Sequence, residues 1–76
     1  MQASTFPAPN VDGVDGWTAQ GVAAAQQGHM DQAIACFEQA VLLQPDNSVT
    51  LGNLGLALLQ ARRPAQARIV LEQAVV

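Results

Sequence analysis

Chemistry in a chain of 76 residues would have to be built here from very few groups. His29 is the one histidine and Cys36 the one cysteine. A thiol nucleophile needs a base within hydrogen-bond reach, and no histidine adjoins Cys36 in the sequence. His29 falls between two apolar-periodic segments, where a solvated turn residue is expected rather than a base. Cys36 directly precedes Phe37 on a helical pattern, the setting of a small half-buried hydrophobe. Asp12 and Asp15 stand where a helix begins, so they are expected to cap backbone N–H groups rather than share a proton. Glu38 and Glu72 take equivalent helix positions and are expected to be solvated. Gly52-Asn53-Leu54-Gly55 lacks the Lys and Ser/Thr that a phosphate-cradling loop requires. One histidine, one cysteine and scattered acids give no metal-ligand spacing. No catalytic residue, metal site or cofactor is expected, and the segment by itself is not expected to be an enzyme.

Composition narrows the class further. Hydrophobic residues make up 50% of the chain, yet its aromatics are only Phe6, Trp17 and Phe37. Alanine and glutamine are frequent, which favours helix. The cations are Arg62, Arg63 and Arg68, and the net charge is −3. No basic stripe exists to neutralise phosphates, so nucleic acid is not an expected partner. Asp12, Asp15, Asp31, Glu38 and Asp46 precede residue 48, and every arginine follows it. That split would let one end attract the other end of a neighbouring copy. A single cysteine permits no internal disulfide. No run is apolar for long enough to span a membrane, and no positive segment followed by an apolar run opens the chain. Cytoplasm is the default expectation.

The elements that hold these residues announce themselves by repetition. Shifting residues 14–42 by 34 onto 48–76 aligns Gly21 with Gly55, Ala23 with Ala57, Gln26 with Gln60, Gln32 with Gln66 and Ala33 with Ala67. Glu38, Gln39, Ala40 and Val41 likewise meet Glu72, Gln73, Ala74 and Val75. Trp17/Leu51, Phe37/Leu71 and Val22/Leu56 are conservative pairs in the same register. A fixed period of this length marks units that bury their apolar faces on one another.

Punctuation predicts four helices. The first spans about Asp15 to Gln27, with Asp12 or Asp15 as cap and Gly28 as the left-handed stop. The second spans about Asp31 to Leu43, with Ala33, Phe37, Ala40 and Val41 at helical spacing, and ends before Pro45. Ser48 is expected to cap a third, Val49 to Ala61, whose face carries Leu51, Leu54, Gly55 and Leu58. Pro64 opens the fourth at a first-turn position, where a missing N–H is harmless. Residues 1–13, with Pro7 and Pro9, read as a leader.

This pattern resembles the tetratricopeptide repeat, a 34-residue pair of antiparallel helices. Trp17, Gly21, Gly28, Ala33, Phe37, Ala40 and Pro45 carry the resemblance in one unit, residues 14–47. Leu51, Leu54, Gly55, Leu58, Ala67, Leu71 and Ala74 carry it in a second, residues 48–76, truncated before its closing proline. The small residues let helices approach, and the large ones fill the space between them. The implied fold is all-α, a helical-hairpin α-solenoid. Gln20 and Ala24 depart from the pattern, where the family places Leu and a large aromatic, so the first helix is expected to be underpacked. Ile69, Val70, Val75 and Val76 stand on a last helix with no capping helix after it, and several of them are expected to lie open. The chain is therefore expected to be a fragment of a longer protein or to cover that face by self-association.

The resemblance also implies a function. In the family the first helix of each unit lines a concave groove. By register the groove residues are Thr18, Val22 and Gln26, then Val49, Gly52, Asn53, Leu56 and Gln60. Asn53 takes the place from which related arrays hydrogen-bond an extended peptide. Thr18 and Val22 replace the Lys and Asn that would hold a C-terminal carboxylate. The expected role is a non-enzymatic scaffold that binds a protein or peptide partner. Two alternatives are the N-terminal region of a larger enzyme of glycosyl- or methyltransferase type, and a homo-oligomer assembled through the uncapped C-terminal helix.

Overall fold

A computed structural model describes residues 13–75. Its elements are α1 (Val14–Gln26), α2 (Met30–Leu43), α3 (Ser48–Gln60) and α4 (Pro64–Ala74). They form two helical hairpins, so the described chain is all-α as the period implies. The leader apart from Gly13, including Phe6 and Asp12, lies outside the described residues, as does Val76.

Both hairpin turns close in the same way. After α1 the N–H of His29 donates to Ala24 O at 2.9 Å and that of Gly28 to Ala25 O at 3.0 Å. After α3 the N–H of Arg63 donates to Leu58 O at 2.8 Å and that of Arg62 to Leu59 O at 3.0 Å. This paired closure needs a left-handed residue just past the helix. Gly28 supplies it at φ +83°, and Arg62 supplies it at φ +65° despite its side chain.

The start signals differ from expectation at two helices. Gly13 is the N-cap of α1 and makes no side-chain bond, while Asp15 already lies in the first turn, where its charge favours the positive helix pole. Ser48 is the first residue of α3 rather than its cap. Asn47 takes that role, its Oδ1 accepting from Thr50 N at 3.1 Å while its Nδ2 donates to Gln44 Oε1 at 3.1 Å. Asn47 and Ser48 are both good caps, and Asn47 ranks at least as high.

The hairpins α1–α2 and α3–α4 pack on each other through α2 and α3, and α1 touches α3 more lightly. Glycines set the spacing. A Cβ on Gly21 would stand 2.6 Å from Phe37 Cδ1, and one on Gly55 would stand 2.5 Å from Leu71 Cγ. Phe37 is 2% exposed and clusters with Ala24, Ala33, Ile34, Leu54, Ala57, Leu58 and Ala67. Ala24, where a large aromatic was expected to be missed, is buried in this cluster, and α1 runs unbroken. Trp17, by contrast, is only half-buried. On α4, Ile69 and Val75 are exposed, but Val70 packs against the core. The shortest extent of the molecule is 14 Å, two helix layers, so each helix keeps a solvent face.

Candidate functional site

The α1–α3 side of the molecule is concave. Because α1 and α3 are the first helices of successive hairpins, both lie in the same layer, and the light contact between them leaves a depression of about 320 Å³. Its walls are Val22, Ala25 and Gln26 from α1 and Asn53, Leu56, Ala57 and Gln60 from α3; Phe37 of α2 forms its floor. Val22 and Leu56 stand open to solvent on opposite walls, 37% and 57% exposed. Three amide side chains, Gln26, Asn53 and Gln60, each offer a donor and an acceptor beside that apolar surface. No titratable side chain is among the lining residues.

Of the groove residues expected from register, five meet in this depression: Val22, Gln26, Asn53, Leu56 and Gln60. Three do not. Val49 is exposed on the first turn of α3, too near that helix's start to reach the walls. Gly52 is half-buried, and a Cβ there would face open space. Thr18 turns inward; its Oγ1 is buried and finds no hydrogen-bond partner among the described residues. Ala25, Phe37 and Ala57 line the depression although sequence reasoning placed none of them there. Phe37 was assigned to the core, and it is core. Its ring lies over Gly21, and with no side chain at that position the ring also reaches the concave surface. The glycine facing the aromatic is the signal that could have located it.

Groups considered for chemistry are dispersed. His29 is exposed in the turn before α2. Cys36 is half-buried on α2, where burial pushes its thiol pKa up and so disfavours the reactive thiolate. Among the described residues no group of His, Cys, Asp or Glu could hold a metal ion. The ion pairs, Asp31 Oδ1–Arg63 Nη2 at 3.6 Å and Arg68 Nε–Glu72 Oε2 at 3.3 Å, are solvent-exposed. Such pairs contribute little to stability. No described helix is long and apolar enough to cross a membrane. A second depression of about 770 Å³ lies at the other end of the helices, between Val41, Pro45, Leu51 and Ala74. Asp46, Ser48 and Gln73 make its rim more polar.

A family model described as tetratricopeptide repeat matches residues 18–76. Neither the curated proteins nor the solved structures contain a match to the chain.

Proposed function

The chain belongs to the tetratricopeptide repeat family, whose repeats generally mediate protein–protein interaction, and we propose that its concave depression receives an extended, uncharged peptide segment of a partner protein. The observation that carries this reading is the make-up of the walls. Val22, Leu56 and the Phe37 floor offer apolar anchoring, while Gln26, Asn53 and Gln60 offer hydrogen bonds that suit a peptide backbone. With no charge in the lining, a charged partner residue would lose hydration there without gaining a counter-ion. The complementary segment therefore carries small or branched apolar side chains, and its binding is insensitive to salt. The role is that of a scaffold, with no catalytic step of its own.

The test is a titration of the folded chain with a peptide array spanning apolar, acidic and basic sequences. Backbone resonances of Gln26, Asn53 and Leu56 report where a peptide binds. Asn53→Ala should weaken the best apolar peptide by roughly 0.5–1.5 kcal/mol, the net worth of one ordinary hydrogen bond. Leu56→Arg should weaken it more and leave helicity unchanged, because the side chain is exposed. Parent-like affinity in both variants, with binding abolished by Glu38→Arg on the opposite face, would move the site to the convex surface.

A further inference from the structure

The repeat register exposes a matched pair of surfaces at the two ends of the molecule. Within the chain, α3 covers one face of α2, and Ile34, Phe37, Leu54 and Ala57 belong to the resulting buried cluster, with Val41 packed against it. Shifting by one period maps Ile34, Phe37 and Val41 onto Arg68, Leu71 and Val75 of α4. Among the described residues no helix lies on that copy of the face. Leu71 is half-buried, Arg68 is exposed and Val75 is 82% exposed. Shifting the other way maps Thr50, Leu54 and Ala57 of α3 onto Gly16, Gln20 and Ala23 of α1. Gly16 and Gln20 are half-buried there and Ala23 is exposed.

The substitutions at the two ends are complementary. The apolar positions Ile34 and Leu54 of the internal seam become Arg68 at one end and Gln20 at the other. A guanidinium facing leucine, or a glutamine facing isoleucine, would be left unpaired in a seam. Facing each other they form a donor–acceptor pair. Arg68 holds Glu72 through its Nε alone, which leaves its two Nη groups to donate. Small residues at Gly16 and Ala23 let the helices come close around that pair, and Leu71 and Val75 supply apolar contact. The ends also differ in charge, with Asp15, Asp31 and Glu38 on α1 and α2, and Arg62 and Arg63 in the α3–α4 turn and Arg68 beside Glu72 on α4.

We infer that α1 of a second copy packs on α4 as α3 packs on α2, with Gln20 of the second copy accepting from Arg68. The contact is heterologous, because the surface used on one copy differs from that used on the next, so it propagates as a head-to-tail row. It also completes a second concave pocket. Leu56, Leu59, Gln60 and Leu71 occupy the places of Val22, Ala25, Gln26 and Phe37, and α1 of the second copy supplies the missing wall.

Sedimentation of the full chain across a concentration series tests the contact. The parent should exceed its monomer mass of 7.9 kDa as concentration rises, and less so at high salt. Gln20→Glu should tighten association by about two- to fivefold, the worth of an exposed ion pair with Arg68. Gln20→Arg should loosen it by setting two guanidinium groups against each other. Arg68→Glu should change it less, because the carboxylate accepts from the Gln20 amide. Mixing those two chains should restore what Gln20→Arg lost, since its new guanidinium then meets a carboxylate. Circular dichroism confirms that the variants keep their helices; were the Gln20→Arg chain unfolded, the gain from Gln20→Glu still decides the matter. A parent that stays monomeric at millimolar concentration overturns the inference. So does a folded Gln20→Arg chain that associates as the parent does, which would place the contact elsewhere.

Discussion

Phe37 does two jobs at once, closing the core between the hairpins and flooring the concave surface. Its ring is 2% exposed and lies where a Cβ on Gly21 would be. Phe37→Ala should cost about 3–5 kcal/mol, close to the whole stability of a domain this small. A denaturant melt in which that variant stays as cooperative as the parent would contradict this packing. Gly21→Ala tests the same contact from the other side. The added methyl would overlap the ring of a core residue that is 2% exposed, so the variant should lose stability, although alanine is the better helix former. Gly55→Ala should be milder, because Leu71 is only half-buried and can turn away. The sequence pointed to Phe37 and to both glycines, since the glycines recur at the period and Phe37 meets Leu71 in the same register. It ranked Trp17 beside Phe37, and there the structure differs. Trp17, on the first turn of α1, is only half-buried. Ile34 went unnoticed because its counterpart in the second unit is Arg68, and a repeat alignment hides a core position that only one unit fills.

At the scale of the helices, the repeat explains where chain direction reverses and also shows where the sequence resists it. Gly28 and Arg62 occupy the same turn position, and both have positive φ. A side chain in the left-handed region costs roughly 1 kcal/mol that glycine avoids. Arg62→Gly should therefore raise the melting temperature, and Gly28→Ala should lower it by a comparable free energy. At α3 two capping residues are adjacent in sequence, and which of the two caps depends on the turn before it. Pro45 ends α2 early enough for Asn47 to reach back to Gln44 and forward to Thr50. Asn47→Ala should cost about 1 kcal/mol, whereas Ser48→Ala should be near neutral. Equal losses for both, measured by chemical denaturation, would mean that the cap is shared. Helix number, order and bounds to within a residue or two were legible, because periodicity and Gly/Pro punctuation are local properties. The concave site was legible only in part. Register places residues on a helix, but not how far along it the neighbouring helix leaves a gap, so Thr18, Val49 and Gly52 lie outside the depression that Val22, Gln26, Asn53, Leu56 and Gln60 line.

At the scale of the whole molecule, stability is distributed by neighbours. In a stacked array each helix is held by those beside it, and opening begins where neighbours are fewest. Among the described elements α2 and α3 each pack against a hairpin partner and against one another, while α4 packs on α3 alone, and α1 has α2 with a slight contact to α3. The two inner helices also hold most of the buried cluster: Ala33, Ile34 and Phe37 on one, Leu54, Ala57 and Leu58 on the other. From α4 only Ala67 is buried, and from α1 only Gly21 and Ala24. Amide hydrogen exchange should therefore be slowest in α2 and α3, faster in α1 and fastest in α4. The seam between the hairpins is the coupling term, and Leu54 is its largest contribution from α3 together with Leu58. Leu54→Ala should cost about 2–5 kcal/mol and should broaden the thermal transition as the hairpins begin to open separately. The measurement has a built-in control, because Leu59→Ala removes an equal volume from the same helix at an exposed position and should change neither cooperativity nor the order of protection. Protection greatest in α4, or a Leu59→Ala loss equal to that of Leu54→Ala, would show that the stabilising seam lies beyond the second hairpin rather than between the two.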